Sequence, residues 1–327
     1  MVTHHTASLN GIGIHYVAAG EGPLILLLHG FPYSWLAWRH QVDALAAAGY
    51  RVIAPDIRGF GASEAPEDVA AYTVLDSAAD AIALTEVESA GEPVTIVGHD
   101  LGAWVACAAA RLRPDLFSRL AMVGTAIPAR EATNPAEDWA MLEQRFGGIF
   151  YHHYFQQAGL ADTQFDRDPA STLRGIYHAI SGQAQGAERW RLFVMPGETA
   201  LDTLPDPGRL PEWLPQSVFA EYVAAYERNG FTPALNHYRC RVRSWEQTEA
   251  WSGQPVLQPT LFVGGAEDPA MALMGPALDA LEQTYPNLAA KVLLPGIGHG
   301  VPEEAPEALN RILLAWLRGN LAGLRLA

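Results

Sequence analysis

A chain of 327 residues with 49% hydrophobic composition can bury a substantial core, as one large domain or as a core carrying an insertion. Its formal net charge of −15 argues against a nucleic-acid partner, and no polybasic segment offers itself to an anionic membrane. No apolar stretch approaches membrane-spanning length, Met1-Val2-Thr3-His4-His5 lacks the features of a secretion signal, and Cys107 and Cys240 are too few for a disulfide framework, so a cytoplasmic protein with buried free thiols is expected.

In chain order, Pro23 to His29 and Arg51 to Asp56 begin a series of short apolar runs that continues at Val94 to Val97, Leu120 to Val123, Thr260 to Val263 and Lys291 to Leu294. Such runs read as buried parallel strands. Helical patterns separate them over Ser34 to Ala48, Val74 to Ser89, Ala103 to Arg113 and Glu303 to Leu317, which predicts a parallel α/β sheet wrapped on both faces. Between about Pro128 and Trp251 the rhythm stops, and the chain becomes rich in Tyr, Trp, Phe, His and Gln with helical periodicity but no convincing buried strand. We expect a helical insertion over the strand C-termini, where ligands enter open α/β sheets. Met195-Pro196-Gly197 and Asp202 to Pro215 read as a loop between two helical pairs within it.

The apolar run at Val94 ends in Gly98-His99-Asp100-Leu101-Gly102, a G-x-D-x-G that matches a nucleophile elbow with a carboxylate at its apex. Gly98 and Gly102 provide the room such a strained strand-to-helix turn needs. A carboxylate attacking an acyl carbon would give only an anhydride, whereas attack on an sp3 carbon bearing a leaving group gives an alkyl ester that water can cleave. Taken alone, Asp100 also reads as a helix N-cap.

Ester cleavage needs a general base and an acid to orient it, in the chain order nucleophile, acid, base. His299, in the Gly-rich turn Gly296-Ile297-Gly298-His299-Gly300 after the last predicted strand, is the base candidate. Asp268, after the preceding strand, is the acid candidate, with Glu267 as local rival and helix capping before Pro269 as the plain alternative. Backbone N–H groups of Leu101 and of Phe31 in His29-Gly30-Phe31-Pro32 would hold the oxyanion, since Pro32 has no N–H to give. No metal or other cofactor is expected: His4-His5 and His152-His153 lack a second ligand pair at a familiar spacing, and Gly59-Phe60-Gly61 is not a phosphate loop.

These residues, together with Ser34-Trp35, Trp38-Arg39, Ala48 to Val52 and Asp56 through Arg58-Gly59-Phe60-Gly61 to Ser63, resemble the α/β-hydrolase superfamily over nearly the whole chain. The carboxylate elbow resembles its alkyl-ester-forming branch, and above all the soluble epoxide hydrolases. The resemblance implies a mostly parallel central sheet with helices on both faces, a core over residues 1–127 and 252–327, and an inserted helical cap over 128–251. It also implies two cap tyrosines that protonate the leaving oxygen. Tyr151 and Tyr238 stand in matching segments, with Tyr154 and His152 as alternatives to Tyr151.

An epoxide oxygen leaves as a basic alkoxide and needs such acids, whereas a halide needs only hydrogen-bond donors. Haloacetate dehalogenases place arginines just after the nucleophile, and haloalkane dehalogenases place Asn and Trp at the positions of Phe31 and Leu101. This chain has neither arrangement, so an epoxide hydrolase acting on a small apolar epoxide and water is expected. Leu101 departs from the Trp that many epoxide hydrolases carry there. A dehalogenase with the same triad and a non-catalytic ligand-binding protein on this scaffold are the alternatives, and a homodimer is compatible with the sequence.

Overall fold

The computed structural model describes residues 2–128, 130 and 133–321. Its first two strands, β1 (Thr3–Leu9) and β2 (Ile12–Ala19), form an antiparallel hairpin that apolar runs do not reveal. β1 is a mostly exposed edge strand of polar residues, so it carries no buried-run signal. The mark it does carry is Asn10-Gly11, whose φ angles of 50° and 83° suit the tight turn this pair favours.

The six expected strands are all present. They are β3 (Leu24–Leu28), β4 (Arg51–Pro55), β5 (Val94–His99), β6 (Phe117–Val123) and, after the short strands β7 (Ile149–Phe150) and β8 (Phe193–Val194), β9 (Thr260–Gly265) and β10 (Leu288–Leu294). The main sheet has the order β1-β2-β4-β3-β5-β6-β9-β10, and β2 is the strand that runs against its neighbours. β10 is a half-exposed edge rather than a buried strand, with Leu293 42% exposed.

Helices α1 (Arg39–Ala47), α2 (Val74–Glu88) and α3 (Leu101–Leu112) alternate with the first strands. Between β6 and β9 come α4 (Pro135–Phe146), α5 (Tyr151–Tyr154), α6 (Leu160–Phe165), α7 (Pro169–Ala179), α8 (Gln216–Asn229), α9 (Thr232–Arg239) and α10 (Arg241–Gln247). The short pair β7–β8 lies in this stretch, apart from the main sheet; with two residues a side and one of them buried in each, it is too short for a periodic signal. The chain closes with α11 (Met271–Asp279), α12 (Leu281–Thr284), α13 (Val301–Glu304) and α14 (Pro306–Leu317). The single helix expected from Glu303 to Leu317 is therefore two: Ala305, at φ −137° and ψ 53°, is held out of the helical region by the following Pro306. The helix expected from Ser34 begins as a 3-10 turn over Trp35–Trp38.

Strand periodicity divides the core between the two faces. Leu24, Leu26 and Leu28 pack with Ala78, Ala81 and Leu84 of α2 and Ala103, Ala106 and Ala110 of α3. Ile25 and Leu27 pack instead with Val42 and Leu45 of α1 and Leu309, Ile312 and Trp316 of α14. Because both faces are covered, β3 is apolar at every position, and truncating fully buried Leu26 to Ala would cost about 2–5 kcal/mol. The C-terminal ends of β3 and β5 lead directly into His29 and Asp100, and those of β9 and β10 lead through short turns to Asp268 and His299.

Candidate active site

Asp100 sits between β5 and α3 at φ 53° and ψ −120°, a left-handed backbone that a non-glycine residue adopts only under strain. The turn is tight enough that a Cβ on Gly98 would overlap the Gly102 carbonyl, and one on Gly102 would overlap the carbonyls of Leu28 and His29. Although Asp100 occupies the N-cap position of α3, its side chain makes no capping hydrogen bond. It turns toward the β3 loop, where the Phe31 amide donates to Oδ1 at 2.9 Å. A Cβ on Gly30 would overlap that carboxylate. His29 fixes the loop from beneath: Nδ1–H donates to the Gly30 carbonyl at 3.0 Å, and Nε2 accepts from the Ile57 amide at 3.0 Å.

On the other side of Asp100, His299 Nε2 lies 3.4 Å from Oδ2. His299 Nδ1–H donates to Oδ2 of Asp268 at 2.7 Å, while Oδ1 of Asp268 accepts from the Ala270 amide at 2.8 Å, so one carboxylate both orients the imidazole and braces its own turn. Glu267, the rival acid, points away to Arg189 and is half-exposed. The His299 loop is anchored at three points. Its amide donates to the Ile180 carbonyl at 2.8 Å; buried His99 donates from Nε2 to the His299 carbonyl at 2.9 Å; and Glu304 accepts from the amides of Gly182, Gly298 and Gly300 at 2.8, 3.1 and 3.0 Å.

Electrostatics follow from this arrangement. Burial alone would raise the Asp100 carboxyl, but hydrogen bonding and charge from His299, the charge of His99 and the Leu101 amide outweigh it and hold the group at about 2. Burial would likewise depress His299, yet the charge of Asp268 and hydrogen bonds with Asp100 and Asp268 keep the imidazole well above its usual range. Asp100 is thus an anion facing an imidazolium.

A cavity of about 300 Å³ opens over this pair, lined by Phe31, Asp100, Leu101, Asp268 and His299 from the sheet side and by Tyr151, His152, Tyr238 and Arg241 from the segment between β6 and β9. Tyr151 and Tyr238 are neighbours, with ring centroids 6.1 Å apart, and neither hydroxyl hydrogen-bonds to another described residue. Burial, and then the charge of Asp100, push both phenols upward, so they stay protonated. Tyr154 is not in the wall: its hydroxyl accepts from Gln164 at 2.8 Å. His152 is in the wall, its ring centroid 5.0 Å from that of Tyr238, and burial and the charge of Arg241 lower it to about 3, which keeps it neutral. Sequence reasoning did not single out Arg241, which opens α10 just after the helix that carries Tyr238. Nor did it find Glu304, whose role depends on amides brought together only by folding.

The α/β-hydrolase fold model matches residues 23–306. The chain belongs to the α/β-hydrolase family, alongside the epoxide hydrolases. Epoxide hydrolase A of Mycobacterium tuberculosis is 34% identical over 320 residues, 97% of this chain and 98% of that protein. Among solved structures, an epoxide hydrolase from an endophytic Streptomyces superposes with a TM-score of 0.92 at 41% identity, covering 97% of this chain and 96% of the other. Epoxide hydrolase A from Mycobacterium thermoresistibile gives 0.90 at 37% identity, covering 98% and 99%. This α/β-hydrolase therefore shares its full length, and not just a motif, with epoxide hydrolases.

Proposed function

We propose that this chain is an epoxide hydrolase that converts a small apolar epoxide and water to a vicinal diol through an ester on Asp100. The observation that carries the reading is the double hold on one carboxylate at the cavity: Oδ1 receives the Phe31 amide at 2.9 Å, while Oδ2 lies 3.4 Å from Nε2 of His299. With Oδ1 engaged, Oδ2 attacks an epoxide carbon, the carbon–oxygen bond breaks, and Tyr151 or Tyr238 gives its proton to the leaving oxygen. A phenol is acidic enough to protonate an alkoxide and too weak an acid to ionise beside Asp100 beforehand.

Esterification removes the charge of Asp100, which is one of the causes that hold His299 protonated. The imidazole then returns toward its ordinary range, releases its proton and becomes the base for water, with Asp268 keeping Nε2 aimed at the ester. Water attacks Cγ as His299 takes its proton, the oxyanion forms on the oxygen held by the Phe31 and Leu101 amides, and Oδ2 departs in the diol as His299 returns that proton to it. We assign residues 128–251 as the cap of this hydrolase and 1–127 with 252–327 as its core. No described helix is long and apolar enough to cross a membrane, and the two buried free cysteines suit a cytoplasmic enzyme. Parallel assays of diol formation from a chiral epoxide panel and of halide release from haloalkanes and haloacetate test the assignment. Diol formation supports it, and halide release without epoxide turnover overturns it.

A further inference from the structure

The loop that carries His299 and the segment that follows α7 meet backbone to backbone. A Cβ on Gly182 would overlap the Gly296 carbonyl, and one on Gly298 would overlap the Ile180 carbonyl, so the two chains touch with no side chain between them. Three amides converge at this contact, from Gly182 on one side and from Gly298 and Gly300 on either flank of His299, and all three donate to Glu304. Among the described residues, no other group accepts from them. The Ser181 hydroxyl is a fourth donor, 3.1 Å from Oε2. Its oxygen already accepts from Trp213 Nε1 at 3.0 Å and from the Gln183 amide at 3.2 Å, which leaves its proton for Glu304. Burial pushes the Glu304 carboxyl up, and the four donors act against this. A carboxylate is the group this cradle fits, because every partner gives a proton and none accepts one.

The two half-reactions lean on this contact unequally. Asp100 is placed by its own elbow and by the Phe31 amide, and neither belongs to the His299 loop. His299 must instead present Nε2 to a water at the ester, and its loop is held by the Ile180 carbonyl, by His99 and by Glu304. Without the Glu304 carboxylate, three apposed N–H groups would lack an acceptor on both sides of the base, and the loop would shift to find one. Building on the proposed hydrolysis of an Asp100 ester, we infer that Glu304 is a positioning residue that ties the base loop to the cap at Ser181 and Gly182. Ester cleavage therefore depends on cap docking in a way that epoxide opening does not. The adjacent Glu303 offers a comparison within the same helix. It too reaches the cap, accepting from the Tyr222 hydroxyl at 2.7 Å, and it pairs with Arg39 at 2.6 Å, but among the described contacts its side chain meets no residue of the His299 loop.

Rapid-quench single turnovers of styrene oxide, followed as alkyl-enzyme mass and as diol, give the rates of alkylation and of ester hydrolysis separately. Glu304→Gln keeps the shape of the side chain and sets an NH2 group against donors. It should slow ester hydrolysis by about 10²-fold, the scale of a misplaced catalytic group, while alkylation changes far less, so that the ester accumulates. Glu303→Gln should lower thermal stability without changing the ratio of hydrolysis to alkylation. Ser181→Ala removes one donor and keeps the three amides; it should lower that ratio by a smaller factor, and it carries the test if Glu304→Gln does not fold. An unchanged ratio in Glu304→Gln or Ser181→Ala, or an equal fall in Glu303→Gln, would overturn the inference while leaving epoxide hydrolysis standing. A wild type that forms neither ester nor diol from styrene oxide or cyclohexene oxide would instead overturn the hydrolase assignment itself.

Discussion

His299 Nε2 lies 3.4 Å from Oδ2 of Asp100, so the proposed base of the second step is the ion-pair partner of the nucleophile before the first. Each group sets the other's protonation state: the imidazole keeps the carboxylate ionised, and the carboxylate keeps the imidazole charged until alkylation separates them.

Replacing His299 by Gln should leave attack on the epoxide possible and stop ester cleavage. Intact-protein mass after incubation with a turned-over epoxide should rise by the mass of one substrate, and a peptide map should place it on Asp100. A protein that binds the epoxide without gaining mass would count against the covalent route.

The two half-reactions should respond differently to pH. Asp100, depressed to about 2, stays ionised through the acid range, so alkylation in single-turnover experiments should not follow the ordinary carboxylate titration. Ester hydrolysis needs neutral His299, so its rate should rise with pH. Asp268 raises the imidazole in the folded protein, and Asp268→Asn should therefore move the midpoint of that profile to lower pH. It should also slow hydrolysis by about 10²-fold or more through lost orientation. A midpoint that moves upward would show that Asp268 does not act on His299 as the geometry requires.

Tyr238→Phe and Tyr151→Phe should each slow epoxide opening, with about a 10²-fold effect expected for a lost general acid. Tyr154→Phe is the control: it loses the bond from Gln164, worth about 1 kcal/mol, and should lower thermal stability while epoxide opening persists. Pre-steady-state alkylation rates separate the cases, and an unchanged rate in both cavity variants would remove the tyrosines from the mechanism.

Gly30→Ala places its new methyl group against the Asp100 carboxylate, so it should abolish alkylation more readily than folding. Gly98→Ala meets the Gly102 backbone instead, which cannot yield as a side chain can, and should prevent the elbow from forming. Circular dichroism alongside activity tells the two outcomes apart.

Much of this was legible in the sequence because it is local. Five of the six expected strands are buried and declare themselves by unbroken apolar runs, with β10 a half-exposed edge, and the elbow declares itself by glycines that flank Asp100. Asp268 and His299 could be nominated because each follows a strand, and a strand's C-terminal end points at the site. What escaped depends on chain segments far apart in sequence or on weak local signals. β1 is an exposed edge with no core to face, and the break at Ala305 rests on a single proline inside an otherwise helical pattern. Tyr154 and Tyr151 are three residues apart and similar in sequence setting, yet only Gln164, brought in by α6, shows that Tyr154 is engaged elsewhere. Arg241 carries no motif and becomes notable only because folding brings Trp104 of α3 beneath it.

Oxygen transfer tests the central claim most directly. In a single turnover of wild-type enzyme in excess over a chiral epoxide in ¹⁸O-water, the new hydroxyl of the diol should come from Oδ2 of Asp100 and carry ¹⁶O, with ¹⁸O left in the peptide containing Asp100. A first-turnover diol bearing ¹⁸O, with Asp100 unlabelled, would mean that water attacks the epoxide itself and would contradict the account.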